Sequence, residues 1–128
     1  DDRDLRDLAA YFASMARADR PPPTTATGDA ARGGRLYLDG DRARGVPPCQ
    51  GCHGVDAGGH PRAARASAWR LYPALAGQNA AYVVQKLAEY REGRHALSRQ
   101  DHVMHGVART LDDTDLQDLA AWLESAPP

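Results

Sequence analysis

Apolar residues along this chain recur three and four positions apart, and no stretch alternates for long enough to pair as strands. Near the start, Leu5, Leu8 and Phe12 keep helical spacing behind Asp1, Asp2 and Asp4, acidic residues that a helix dipole favours in its first turn. This predicts a helix over residues 1–15. A second is expected from Asp29, a good N-cap, to Tyr37. Its paired Gly33 and Gly34 cost helix propensity and mark a place where another backbone or a bulky ring comes close. Val83, Leu87 and Tyr90 sit at i, i+4 and i+7, with Asn79 as N-cap and Gly93 placed to stop the helix in a left-handed turn. Val103 and Val107 give a short further segment. Asp112 then caps a last helix whose buried stripe is Leu116, Leu119, Ala120 and Leu123. Between these, residues 39–48 read as a Gly- and Pro-containing loop, 54–65 as irregular, 72–78 as a turn and 95–101 as loop. The fold class expected is all-α.

The order of the segments carries a second message. Residues 16–27 contain Pro21-Pro22-Pro23 followed by Thr24-Thr25, which cannot continue a helix and read as a stiff, extended linker. Residues 1–15 laid over 112–126 give nine identities, with Tyr11 opposite Trp122 and Phe12 opposite Leu123. Acidic, Ala-rich amphipathic helices do look alike, but the agreement favours a true repeat. The expectation is a three-part chain: residues 1–15 as the last helix of a preceding copy of the domain, 16–27 as linker, and 28–128 as a whole domain.

Composition narrows the chemistry. One Phe, five Tyr and two Trp are a lean aromatic filling for 128 residues, a deficit that a large apolar cofactor would make good. The net charge of −1 argues against nucleic acid as a partner. Aspartates crowd both ends, whereas Arg32, Arg35, Arg42, Arg44, Arg62, Arg65 and Arg70 flank the middle. These read either as solvated faces or as a basic rim that steers an acidic redox partner. No apolar run approaches the roughly 20 residues needed to cross a bilayer, so membrane association is expected only through a partner. No basic-then-apolar leader is present, and the expectation is an exported, mature form.

Both cysteines fall in Cys49-Gln50-Gly51-Cys52-His53, the attachment signature of a c-type haem. Two thiols three residues apart can bond to the two vinyl edges of one porphyrin, and the imidazole that follows can coordinate the iron. A thioredoxin-like dithiol needs a βαβ setting that the pattern lacks. A zinc site would have to recruit His60, His95, His102 or His105. The haem reading uses every residue of the motif. The second axial position decides the chemistry: left open it permits ligand binding or peroxide chemistry, and filled it favours electron transfer. Met15, ahead of the linker, reads as ordinary packing. Met104 lies where the chain could fold back over the opposite haem face, and the flanking His102 and His105, read as loop residues, compete with it.

Taken together, Gly45-Val46-Pro47-Pro48 before the motif, Gly54 after it, Pro73-Ala74-Leu75-Ala76-Gly77-Gln78, Tyr90-Arg91-Glu92-Gly93-Arg94, and Asp101 and Leu111 around Met104 resemble a class I cytochrome c. Within that class the pattern is most similar to the tandem dihaem cytochromes c4. The resemblance implies one covalent haem c held by Cys49 and Cys52, with His53 as proximal and Met104 as distal ligand. It implies that the Pro73 carbonyl accepts a hydrogen bond from the other nitrogen of His53, and that Gly33 marks the crossing of the first and last helices beside Trp122. Leu75, Val83, Leu87, Val103 and Val107 are the expected apolar shell. The implied function is electron transfer between periplasmic redox proteins, without catalysis, the partner meeting the haem edge near the cysteine loop. The alternative is a haem domain of a larger dehydrogenase, reductase or terminal oxidase; gas sensing or peroxidase activity would need an accessible iron. The family carries two haem motifs per chain and this sequence has one, which, with the repeated helix, points to a second cytochrome domain upstream or to a shortened relative that has lost it.

Overall fold

The computed structural model describes residues 1–15, 26–94 and 98–128. Most of the expected linker, and His95, lie outside the described residues. Six α-helices are present among them: α1 (Asp2–Ser14), α2 (Ala30–Asp39), α3 (Gln50–His53), α4 (Ala80–Arg91), α5 (Arg99–Ala108) and α6 (Asp113–Ser125), with a 3-10 turn over Ser67–Leu71. The one β pairing among the described residues is an isolated bridge between Asp41 and Val46. The all-α expectation holds.

Capping explains where the helices start. The Asp29 carboxylate takes the amides of Ala31 and Arg32, and Asn79 takes that of Tyr82. Ser98 and Asp101 form a reciprocal capping box, as do Asp112 and Asp115. The Ser98 box corrects the reading of 95–101 as loop. It starts α5 at Arg99, so that His102, Met104 and His105 are helical rather than loop residues. Gly93, at φ +69°, ends the α4 segment in the left-handed turn its position predicts.

The core lies where α2, α4 and α6 meet. Leu36, Tyr37, Val83, Leu116, Leu119, Ala120 and Leu123 are all buried there. The crossing of α2 and α6 depends on glycine. A Cβ on Gly33 would stand 1.9 Å from the Asp118 carbonyl oxygen, and one on Gly34 would stand 2.8 Å from the Trp122 indole. Gly33 therefore meets the backbone of α6, while the ring expected beside it rests on Gly34. Charge reinforces the crossing. Asp115 is fully buried and receives both Arg32 and Arg44; Asp118 receives Arg32 and the Asp29 amide. Two of the seven arginines of the expected basic rim are thus structural. At the far end of α6, the buried Glu124 carboxylate accepts the Ala80 amide at 2.9 Å and so serves the first turn of α4.

α1 stands apart from this core. It repeats α6 in detail: thirteen residues each, an aspartate N-cap, an aspartate-to-aspartate capping box and a serine hydroxyl bonded three residues back. Yet α1 buries none of its residues, whereas α6 buries eight. Leu5, Leu8, Phe12 and Met15 are more than half exposed, so Met15 enters no core among the described residues.

Candidate haem-attachment site

The cysteine motif forms α3, a single turn joined to α2 on one side and to a tight loop on the other. The Cys49 amide donates to the Tyr37 carbonyl at 2.9 Å, and the Gln50 side-chain amide donates to that of Leu38. His53 N–H donates to the Cys49 carbonyl. Cys49 and His53 thus lie one helical turn apart, with Cys52 beside His53. Both thiols are free; Cys49 is half-buried and Cys52 exposed. Burial, and then the neighbouring Cys52, push the Cys49 thiol up to about 11.

Gly54 turns the chain out of α3 at φ +83°, where a Cβ would meet the Gly59 carbonyl oxygen at 2.5 Å. The Tyr37 hydroxyl donates to the Gly54 carbonyl at 2.7 Å; burial raises the pKa of this phenol and keeps it protonated. The loop closes with the Gly59 amide on the His53 carbonyl. At its centre Ala57 is fully buried with φ +57°, and its carbonyl accepts the amides of both Leu75 and Ala76. These two bonds fasten residues 73–76 against the loop and bring the Pro73 carbonyl oxygen to 2.9 Å from Nδ1 of His53.

That contact defines the imidazole. His53 is only 7 % exposed. Its Nδ1 carries the proton toward Pro73, which leaves the Nε2 lone pair available. Burial lowers the pKa of the ring, opposed by the Pro73 bond, and favours the neutral form that coordinates metal. Two unpaired thiols beside a buried, neutral, fixed imidazole fit a covalently attached haem.

Met104 lies on α5, half-buried, and shares no hydrogen bond with the motif. Its two histidine neighbours differ from each other. His105 has Nδ1 2.8 Å from the Tyr90 carbonyl oxygen, which ties α5 to the end of α4, while His102 is exposed. Of the expected apolar shell, Val83 is buried, Leu75, Leu87 and Val107 are partly buried, and Val103 is half exposed. Among the described residues no group of three or more His, Cys, Asp or Glu is placed to hold a metal ion. His60, a candidate zinc ligand by sequence, instead stacks on Trp69.

Sequence reasoning passed over Tyr37 and Ala57, which shape the loop. Tyr37 carries no motif, and nothing in the letters marks an alanine in the left-handed region. The Ser98 capping box was legible as Ser-x-x-Asp.

The site, set in a helical domain closed by a glycine crossing, fits a Cys-x-x-Cys-His haem-binding motif. The family model for cytochrome c matches residues 30–127, and the chain belongs to that family. Among curated proteins it is similar to cytochrome c4 of Azotobacter vinelandii, 34% identical over 126 residues, covering 96% of this chain and 54% of that one. It is also similar to the thiosulfate dehydrogenase electron acceptor of Thiomonas intermedia (strain K12), 33% identical over 120 residues, covering 94% and 51%. The chain thus spans about half the length of these relatives. Among solved structures, reduced recombinant cytochrome c4 from Pseudomonas stutzeri aligns with TM-score 0.77 at 31% identity, over 99% of this chain and 62% of that one. Thiosulfate dehydrogenase from Marichromatium purpuratum aligns with TM-score 0.75 at 30% identity, over 97% and 24%. Among the described residues no helix is long and apolar enough to cross a membrane.

Proposed function

We propose that this chain carries one haem c bonded to Cys49 and Cys52, with His53 and Met104 as axial ligands, and passes single electrons between redox proteins of the bacterial periplasm. The observation that supports it most directly is the buried His53 ring, its Nδ1 at 2.9 Å from the Pro73 carbonyl oxygen and its Nε2 free. A bound haem supplies one-electron chemistry at its iron. The protein's part is to hold position. The Ala57 carbonyl fixes the 73–76 segment, Pro73 fixes the tautomer and orientation of His53, and the Tyr37 hydroxyl fixes the turn out of α3. His105, with Nδ1 on the Tyr90 carbonyl, also keeps its Nε2 lone pair, and His102 is exposed, so both enter the test of the distal position. A thioether opposite an imidazole favours the ferrous state relative to two imidazoles. No acid, base or substrate pocket enters this role.

The distal assignment is tested by absorption of the ferric protein in the far red, where a weak sulfur-to-iron band is expected. Met104→Ala loses that band, and His102→Ala and His105→Ala keep it. A band that survives Met104→Ala refutes the assignment.

We further infer that α1 is the closing helix of a preceding cytochrome domain, joined by the linker to a domain over residues 28–128. The matching capping boxes of α1 and α6, and the exposure in α1 of positions that α6 buries, support this reading. A second role, as the haem domain of a larger redox enzyme, is favoured by the thiosulfate dehydrogenase alignment. The two roles part on co-purification: a catalytic subunit travels with the chain only in the second.

A further inference from the structure

From Ala57 to Ala88 the chain has no carboxylate side chain, and it has four cationic ones: Arg62, Arg65, Arg70 and Lys86. Lys86 pairs with Glu89. Arg62, Arg65 and Arg70 are exposed and form no ion pair among the described residues, unlike Arg32 and Arg44, which α6 holds. The three lie on one short segment around an aromatic cluster. The half-buried Trp69 stacks on His60 with ring centroids 4.1 Å apart and planes 13° from parallel, and the Arg62 guanidinium lies 6.0 Å over the same indole. Tyr72 stands 5.7 Å from His60 and 6.0 Å from Trp69. Its other neighbour is the buried His53, edge-on at 6.4 Å.

The cluster is held by its backbone. The His60 amide donates to the Tyr72 carbonyl at 3.2 Å, and the Arg62 amide donates to Nδ1 of His60 at 3.0 Å. Aromatic rings therefore run without interruption from the site imidazole to Trp69, on a segment whose three exposed arginines form no ion pair among the described residues. A fixed tryptophan with an arginine over its face is also the composition that dominates binding energy in protein interfaces.

We propose that an acidic redox protein docks on this surface, its carboxylates against Arg62, Arg65 and Arg70 and its apolar contact on Trp69. The rings of Trp69, Tyr72 and His53 then connect that partner to the site. One electron moves between the reduced and oxidised partners, and no bond or proton is exchanged. This deepens the haem reading and rests on it. It places the partner on the segment that follows the motif, not at the cysteine loop itself.

The test uses the haem-loaded protein and hexacyanochromate(III), a redox-inert paramagnetic trianion, as a stand-in for a carboxylate surface. Nuclear magnetic resonance should show line broadening centred on the Trp69 indole N–H and the Tyr72 ring. Arg62→Glu combined with Arg65→Glu should weaken that binding roughly tenfold at low ionic strength. Broadening centred on Arg35, Arg42 or the Cys49–Cys52 loop overturns the proposal, as does an unchanged map in the double variant. Should charge reversal prevent folding, Arg62→Gln with Arg65→Gln gives the same comparison. For the ring path, Trp69→Leu should slow oxidation of the reduced protein by hexacyanoferrate(III) several-fold while its salt dependence stays the same; an unchanged rate overturns that part. Haem attachment is read from the absorption spectrum before either anion is added, so a failure of the haem reading is distinguished from a failure of the docking surface.

Discussion

Asp115 illustrates how one side chain can hold this domain together. It is fully buried, closes the capping box of α6 and receives guanidiniums from both Arg32 and Arg44. Burial alone would raise its pKa, but the bonds from Arg44, from the Asp112 amide and from Arg32 outweigh burial and hold it below the ordinary 3.8. A carboxyl whose folded pKa is depressed contributes stability at every pH above its unfolded value, and loses it as pH falls through the folded one. The window here lies below 3.8. Asp115→Asn leaves two arginines facing a neutral amide and should cost about 3–5 kcal/mol near neutrality. In urea melts the deficit should shrink as the pH is taken below 3.8, because the parent then loses its own advantage. A deficit that stays constant in acid would mean that the charge of Asp115 is not what stabilises α6.

Among the elements, the crossing of α2 on α6 has the least tolerance. Gly33 abuts the Asp118 carbonyl, whereas Gly106 in α5 has open space around its Cα. Gly33→Ala must push the helices apart and should lose about 3 kcal/mol, while Gly106→Ala should gain roughly 0.5–1 kcal/mol from helix propensity alone. Thermal melts of the two variants check both signs. The element scale is also where the letters were most and least informative. Asp29, Asn79 and Asp112 announced their helices because a short polar side chain before a periodic stripe has few other uses. Ser98 and Asp101 carry the same signal, and their capping box begins α5 at Arg99, four residues ahead of the short segment that Val103 and Val107 predict. Residues 54–59 were legible only as irregular, because their course is fixed by Ala57 in the left-handed region and by bonds to residues about 18 positions later.

At the scale of the whole molecule, two helices of nearly the same sequence live in opposite surroundings. Leu119 on α6 is 2 % exposed and its counterpart in the repeat, Leu8 on α1, is 54 % exposed. Leu119→Ala should therefore destabilise by about 2–5 kcal/mol, and Leu8→Ala should change the melting transition little, within about 0.5 kcal/mol. Equal losses at the two positions would mean that α1 packs on the domain after all. The repeat itself was legible, because identity at fixed offset survives without any knowledge of contacts. Which copy is buried was not, since that depends on whether a glycine-bearing helix is there to receive it. The cysteine motif was legible in the same local sense. The Pro73 contact followed only from resemblance, because residues 53 and 73 are joined through the Ala57 carbonyl and not through any pattern of spacing.

The bond from the Asp29 amide to Asp118 joins positions 89 residues apart, and every thiol, ring and carbonyl of the site lies between them. Closing a loop of that length costs about 4 kcal/mol of chain entropy, against roughly 2.7 kcal/mol for the shorter one between His53 and Pro73. The arginine and aspartate cluster therefore works as a clasp on a long cord. While it is fastened, the segment within has few arrangements left to it, and the imidazole inherits its fixed bearing from side chains it never touches.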